Sequence, residues 1–141
     1  MKTEIYNEKG RYENPIIIEA GEDGDYFWLV ISLGSHPCAY VGVKAEHPLF
    51  GIDYDEMYEK DIAIDVHGGV TYTSREVIGM GLDRWWIGWD YAHSGDYTAF
   101  SSEISESYKK LRRHERKWTL KEIKEDVKDV IKQLRKEGEK Q

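Results

Sequence analysis

The sequence is poor in cysteine: Cys38 is the only one among 141 residues. This excludes a disulfide framework and any zinc site built from several cysteines, and it favours a reducing compartment. Apolar runs are also short, since none approaches the roughly 18–20 residues that cross a bilayer, and no signal-peptide pattern follows the N-terminus. We therefore expect a cytoplasmic protein without membrane contact.

Familiar catalytic motifs are missing as well. The sequence contains no Walker loop, no Gly-x-Gly-x-x-Gly, no Gly-x-Ser-x-Gly and no His-Glu-x-x-His. It therefore shows none of the short motifs that identify the common nucleotide-binding loops, serine hydrolases and zinc proteases.

Positive charge is scarce in most of the chain. Residues 1–100 carry 18 acidic and 7 basic side chains, whereas residues 101–141 carry 9 acidic and 13 basic ones. An acidic body is a poor partner for polyanions, so we expect no non-specific nucleic-acid binding. The basic segment that contains Arg112 and Arg113 could attract phosphate from a distance, although a solvated face or a linker would have the same composition.

Composition and length predict a single domain. Apolar residues make up 40% of the sequence and charged residues 33%, which is typical of a soluble globular protein. A chain of this length has room for one core, so we expect one domain over residues 1–141. It would comprise an acidic, turn-rich segment at 1–25, a sheet with the candidate site at 26–100, and a basic segment with a helix at 101–141.

Strand-like patterns fill the middle of the chain. Two runs of β-branched and aromatic residues, 26–33 and 38–43, flank a turn-forming cluster and predict a hairpin. Alternation of polar and apolar residues over 61–66, with a return at 70–73, predicts a second hairpin. Residues 85–92 are the strongest single strand candidate.

The C-terminal pattern is helical. Thr119 and Glu122 have the spacing of a capping box, in which two backbone N–H groups are satisfied reciprocally. Apolar residues then follow at helical spacing, which predicts an amphipathic helix over 120–137 that packs on one face of the sheet. The predicted fold class is α+β: a mainly antiparallel sheet of short hairpin strands with a C-terminal helix.

Polar chemistry concentrates at turns between strands. His67-Gly68-Gly69 follows a predicted strand, and two adjacent glycines expose backbone amides and let a ligand approach closely. We expect the histidine at the rim of a pocket. The glycine amides, or the Arg112 and Arg113 pair, would hold a phosphate group.

The strand at 85–92 brings aromatic and acidic side chains to one face. Alternation places Trp86, Gly88 and Asp90 together, opposite a set that faces the core. A ring, a gap without a side chain and a carboxylate suit a planar ligand. Trp86 or Tyr72 is therefore expected to stack on a nucleobase.

The candidate catalytic residues are His67, His93, Asp90 and Asp96, and His47 is a further ligand-binding candidate. Their nitrogen and oxygen atoms could hold a divalent metal ion. They could equally work without metal, as two imidazoles for acid and base that are each oriented by a carboxylate. For any one of the histidines, capping a turn is the alternative role.

Two motifs resemble those of a known family. The first motif is His67-Gly-Gly-Val-Thr-Tyr72, and the second is Trp85-Trp-Ile-Gly-Trp-Asp-Tyr-Ala-His-Ser-Gly-Asp96. They are similar, in that order, to His-Gly-Gly-x-Thr-Tyr and Trp-Trp-Ile-Gly-Phe-Asp-x-x-His-x-x-Asp in a family of small, uncharacterised tailed-phage proteins. The resemblance covers residues 38–96 and the C-terminal helix, with Trp89 in place of the usual phenylalanine. It implies a phage origin and action in the host cytoplasm, where small phage proteins often counter host defences, including those that signal with cyclic nucleotides.

Three functions fit these observations. The first is an enzyme that cleaves a phosphoester or phosphodiester bond of a small nucleotide, through a metal-bound water or through the ligand's own ribose hydroxyl. The second is a protein that sequesters a nucleotide without altering it, at a subunit interface of a homo-oligomer. The third is an acidic inhibitor that mimics nucleic acid or masks a basic host surface.

Overall fold

The computed structural model describes residues 5–6, 15–99 and 115–140. Within these ranges the elements are β1 (Ile16–Asp23), β2 (Tyr26–Ser32), β3 (Pro37–Val43), α1 (Tyr54–Glu59), β4 (Tyr72–Ser74), β5 (Trp85–Asp90) and α2 (Leu120–Gly138). The strands form one antiparallel sheet in the order β1-β2-β3-β5-β4. The predicted α+β class is confirmed. In the described part of the chain, no helix is long and apolar enough to cross a membrane.

β3 lies at the centre of the sheet. It pairs with β2 as the predicted hairpin, with Leu29 opposite Tyr40, and with β5, where Tyr40 is opposite Gly88. All seven residues of β3 are buried, because strands flank both of its edges and apolar side chains pack on both of its faces. The larger core lies between the sheet and α2, and the smaller core lies on the opposite face.

α2 begins with the predicted capping box. The Glu122 N–H donates to Thr119 Oγ1 over 3.2 Å, and the Thr119 N–H donates to Glu122 Oε1 over 3.0 Å. A cap of this kind contributes about 1 kcal/mol, whereas each fully buried aliphatic side chain contributes about 1.5–3 kcal/mol. Packing on β2 and β3 therefore holds the helix more than capping does, through Ile123, Val127, Val130, Ile131 and Leu134.

The second predicted hairpin is wrong. Residues 61–66 form no strand, and Asp61, just after α1, has a left-handed φ of 57°. The backbone N–H and carbonyl of Asp65 bond instead to the side-chain amide of Gln133 on α2, both over 2.7 Å. β4 pairs with β5. The strand-like pattern arose because side chains such as Ile64 pack on the core without any strand pairing.

Candidate functional site

The two faces of β5 separate as predicted. Trp89 belongs to the larger core, whereas Trp86, Gly88 and Asp90 face the other side of the sheet. Trp86 is nevertheless 0% exposed, and its Nε1 donates to the carbonyl of Gly81 over 3.1 Å. Its ring has no open face, so no accessible surface supports the prediction that a ligand stacks on Trp86.

The gap at Gly88 is filled by a tyrosine. Tyr40 and Tyr72 lie opposite Gly88 on either side, and a Cβ on Gly88 would overlap the Tyr40 ring. The two tyrosine rings meet edge to face, with centroids 5.3 Å apart. Tyr72 is half-buried, and its hydroxyl donates to the carbonyl of Glu76 over 2.6 Å. Of the two rings predicted to stack on a base, Tyr72 is the accessible one.

A buried carboxylate organises the rest of the site. Asp96 is 4% exposed and accepts three hydrogen bonds: from His67 Nε2 at 2.7 Å, from Trp118 Nε1 at 3.0 Å and from the His93 N–H at 3.0 Å. An ionised carboxylate only accepts hydrogen bonds, so Nε2 of His67 carries the proton. Asp96 thereby joins the turn before β4, the loop after β5 and the segment before α2.

The pKa of the Asp96 carboxyl lies below its ordinary value. Burial is the largest single influence and opposes ionisation, but the hydrogen bonds from His67, His93 and Trp118 together outweigh it. Asp96 is therefore a carboxylate at neutral pH.

The His67 ring packs against two aromatic rings. It stacks on Tyr91 with centroids 5.3 Å apart and planes 6° from parallel, and the Trp118 ring lies 4.6 Å away. Tyr91 is itself fixed, because its hydroxyl donates to Asp126 Oδ2 over 2.7 Å and accepts from Trp89 Nε1 over 2.9 Å. Since Nε2 is bound to the buried carboxylate, Nδ1 is the ring nitrogen of His67 without a hydrogen-bond partner among the described residues.

His93 and Asp90 form a second, looser pair. Nε2 of His93 lies 3.3 Å from Asp90 Oδ1, close enough for an ion pair, but this buried atom makes no hydrogen bond within the described structure. Asp90 accepts instead from the Ala92 N–H at 3.0 Å and from Thr71 Oγ1 at 3.2 Å. The His67 and His93 rings are 5.8 Å apart. The fold therefore brings all four predicted catalytic residues together, as two histidine–aspartate pairs.

The two glycines after His67 differ in role. Gly68 has a φ of +71°, and a Cβ there would overlap Nε2 of His93. Gly69 has a φ of +78°, but a Cβ there would meet nothing within 4 Å. The Gly69 N–H donates to the Val66 carbonyl over 2.9 Å. Gly68 thus permits close packing of His93, and the Gly69 amide is used within the turn rather than open to a phosphate.

A groove of about 430 Å³ opens beside His93 and Asp90. His36, a further wall residue, is 4% exposed, and burial lowers its pKa. Cys38 also lines the groove, and burial raises the pKa of its thiol to about 12. The Cys38 thiol is therefore protonated at neutral pH. Tyr72 supplies an aromatic wall of the groove.

The remaining predicted residues are not part of this cluster. Nε2 of His47 bonds to the Leu134 carbonyl over 2.8 Å, and its Nδ1 accepts from the Leu49 N–H over 3.1 Å. His47 therefore lies near the C-terminal end of α2, whereas the buried carboxylate lies near its N-terminal end. Arg112 and Arg113 lie outside the described residues. Within the described ranges, no group of three or more His, Cys, Asp or Glu side chains is placed to hold a metal ion.

Trp118 and Tyr91 are site residues that the sequence did not reveal. Both touch His67, which is distant along the chain, so no local spacing marks them. The one available signal was a tryptophan at position 118, immediately before the capping-box residue Thr119 in an otherwise charged segment.

Comparisons with protein-family models, curated proteins and solved structures find no match to this chain.

Replacing each glycine of the turn by alanine should separate strain from overlap. Both residues have left-handed φ values, which cost an alanine about 1–2 kcal/mol. Gly68→Ala must in addition displace His93, and overpacking of this kind costs about 1–3 kcal/mol more. Urea unfolding should show Gly68→Ala to be the less stable variant, with the His93 ring resonances shifted in that variant alone. Equal destabilisation would contradict the packing role of Gly68.

The lowered pKa of Asp96 predicts a pH dependence of stability. The pKa of the Asp96 carboxyl is lower in the folded state than its value of about 3.9 in the unfolded chain. Such a group stabilises the fold at pH values above the unfolded pKa, and this stabilisation is lost as the pH falls through the folded pKa. The free energy of unfolding of the wild type should therefore fall between about pH 5 and pH 2 more steeply than that of Asp96→Asn. The exposed Asp55→Asn is the control and should keep the wild-type slope. An unchanged slope in Asp96→Asn would refute the assignment.

Proposed function

We propose that the protein cleaves a phosphodiester bond of a small nucleotide by general acid–base catalysis, with His67 as base and His93 as acid. The observation that carries the proposal is the pair of imidazole rings 5.8 Å apart, each beside its own aspartate. Imidazole is the side chain that both takes and gives a proton near neutral pH. Two such groups at this separation lie within reach of one phosphodiester group.

The base role of His67 rests on its contact with Asp96. The carboxylate holds Nε2 in its protonated form, so the lone pair of the ring is on Nδ1. It also stabilises the imidazolium that forms when Nδ1 takes a second proton. The stacked Tyr91 ring and the tilted Trp118 ring fix the plane in which that lone pair points.

The acid role of His93 rests on its contact with Asp90. The buried Nε2 makes no hydrogen bond to the residues that the structure describes. A protonated ring would place its positive charge 3.3 Å from Asp90 Oδ1, within ion-pair distance. The proton available to a ligand is then the one on Nδ1.

In the proposed step the two histidines carry out the proton transfers. Nδ1 of His67 takes the proton from a ribose 2′-hydroxyl, and the hydroxyl oxygen forms a bond to phosphorus. The bond from phosphorus to the 5′-oxygen breaks, and His93 gives its proton to that leaving oxygen. The products are a cyclic phosphate and a free 5′-hydroxyl. Exchange with water then returns the two histidines to their starting protonation states.

The groove favours a small nucleotide as the ligand. Its volume of about 430 Å³ lies in the range of small-molecule sites, and Tyr72 offers a ring against which a base can pack. The resemblance to tailed-phage proteins would place the reaction in an infected host, where cleavage of a cyclic nucleotide signal would counter a defence. That the protein acts as a homo-oligomer stays a prediction.

Replacing His93 should reduce turnover much more than binding. General acid catalysis by one group contributes about 10²–10⁴-fold, so we expect His93→Ala to lower kcat at least about 100-fold and to leave affinity within about tenfold. A panel of cyclic and linear nucleotides, with and without chelator, separated by chromatography, provides the measurement. His67→Ala should show the same loss, and chelator should have no effect.

Two controls sharpen this experiment. His114→Ala removes a histidine that the proposal does not use and should keep wild-type turnover. The 2′-deoxy form of a cleaved nucleotide should remain intact, because it lacks the attacking hydroxyl. Wild-type turnover in His93→Ala would contradict the catalytic assignment, and tight binding without cleavage by the wild type would identify a sequestering protein instead.

A further inference from the structure

The proposed reaction brings a phosphate group next to two aspartates. Asp90 lines the groove, Asp96 lies behind His67, and none of the described residues that line the groove is Lys or Arg. Like charges at such distances repel, so an anion needs a compensating cation close by. The described structure offers one at Trp118, the ring that packs against His67.

Arg116 is stacked on the ring that packs against His67. Its guanidinium carbon lies 3.5 Å from the Trp118 ring centroid, and Trp118 lies 4.6 Å from His67. The guanidinium and the imidazole are therefore at most about 8 Å apart. The Arg116 side chain is 56% exposed, so a ligand can reach it.

The backbone fixes Arg116 to the segment that carries Asp96. The Arg116 N–H donates to the Gly95 carbonyl over 2.8 Å, and its carbonyl accepts from the Tyr97 N–H over 2.9 Å. These two bonds flank Asp96 in a parallel bridge. The position of Arg116 relative to His67 is therefore set by the same residues that hold the imidazole.

Glu122 already binds part of the guanidinium. Its Oε2 contacts Arg116 Nη2, while its Oε1 accepts from the Thr119 N–H and hydroxyl of the capping box. Glu122 is the hydrogen-bond partner of the Arg116 side chain among the described residues. A guanidinium has five N–H donors, so several remain for a ligand. The carboxylate shows that this guanidinium binds an oxyanion while stacked on Trp118.

We propose that Arg116 forms the phosphate-binding subsite of this site, with the guanidinium held in place by Trp118 and Glu122. The inference rests on the proposed function and adds the residue that binds the anion. A stacked guanidinium suits phosphate because its planar fork donates two parallel hydrogen bonds and loses little freedom on binding.

Titration with inorganic phosphate tests this subsite without requiring turnover. Binding is followed by the NMR signals of the Trp118 indole N–H and the His67 ring. Arg116→Ala should weaken phosphate binding at least about tenfold, because hydrogen bonds to charged groups are worth about 1.5–3 kcal/mol. Glu122→Gln keeps the capping box and removes a competing anion, so it should tighten binding.

Lys117→Ala is the matched control, since it removes the same charge from the neighbouring residue, whose ammonium lies over Tyr6 and Tyr97 rather than Trp118. It should change phosphate affinity less than about threefold.

Equal weakening by Lys117→Ala and Arg116→Ala, or no phosphate binding by the wild type, would overturn the subsite. If Arg116 binds phosphate but no nucleotide is cleaved, the subsite stands and the proposed function fails. Cleavage that persists with unaltered affinity in Arg116→Ala would leave the function standing and refute the subsite.

Discussion

The structure around the candidate site depends on one buried negative charge. Asp96 is 4% exposed, and an ionised carboxylate in that position would be strongly destabilising without hydrogen-bond donors. The donors come from His67, His93 and Trp118. Three segments that are distant along the chain therefore have to meet at this carboxylate, and loss of any donor would leave charge that the surroundings do not compensate.

This constraint also orients the chemistry. Because Asp96 fixes one nitrogen of His67 and Tyr91 fixes the ring plane, the imidazole has a single defined orientation. Tyr91 is anchored to Asp126 on α2, so the orientation is transmitted from the packed helix rather than from a loop. Groups held by packing and by a surrounding layer of hydrogen bonds keep the geometry that catalysis requires. His93 is held less tightly, since Gly68 and Asp90 limit its position and no described residue forms a hydrogen bond with Nε2.

The features that sequence patterns predicted correctly are local ones. The β2–β3 hairpin, β5 and the capping box of α2 depend on residues close in sequence, so propensity and spacing were sufficient. The alternation in β5 also predicted which side chains share a face. It could not show that Trp86 is covered, because the contacts that cover it, which include Phe27 of β2 and the Gly81 carbonyl, form only on tertiary packing.

Only part of the candidate site was predicted, because local patterns do not show contacts that depend on tertiary packing. His67, His93, Asp90 and Asp96 were singled out because turns with glycine bring polar groups to strand ends. Trp118 and Arg116 were not singled out, because their contacts with the site form only when the segment before α2 pairs with the loop after β5. Residues 61–66 failed as a strand for a related reason: the Gln133 side chain replaces a neighbouring strand.

The protonation state of the His67 ring is the most direct test of this account. Nitrogen NMR distinguishes a protonated ring nitrogen from an unprotonated one, so it reports which tautomer the neutral imidazole adopts. The wild type should show the Nε2-protonated tautomer with an unprotonated Nδ1, and Asp96→Asn should lose that preference. A neutral His67 protonated on Nδ1, or a tautomer that does not respond to Asp96→Asn, would contradict it.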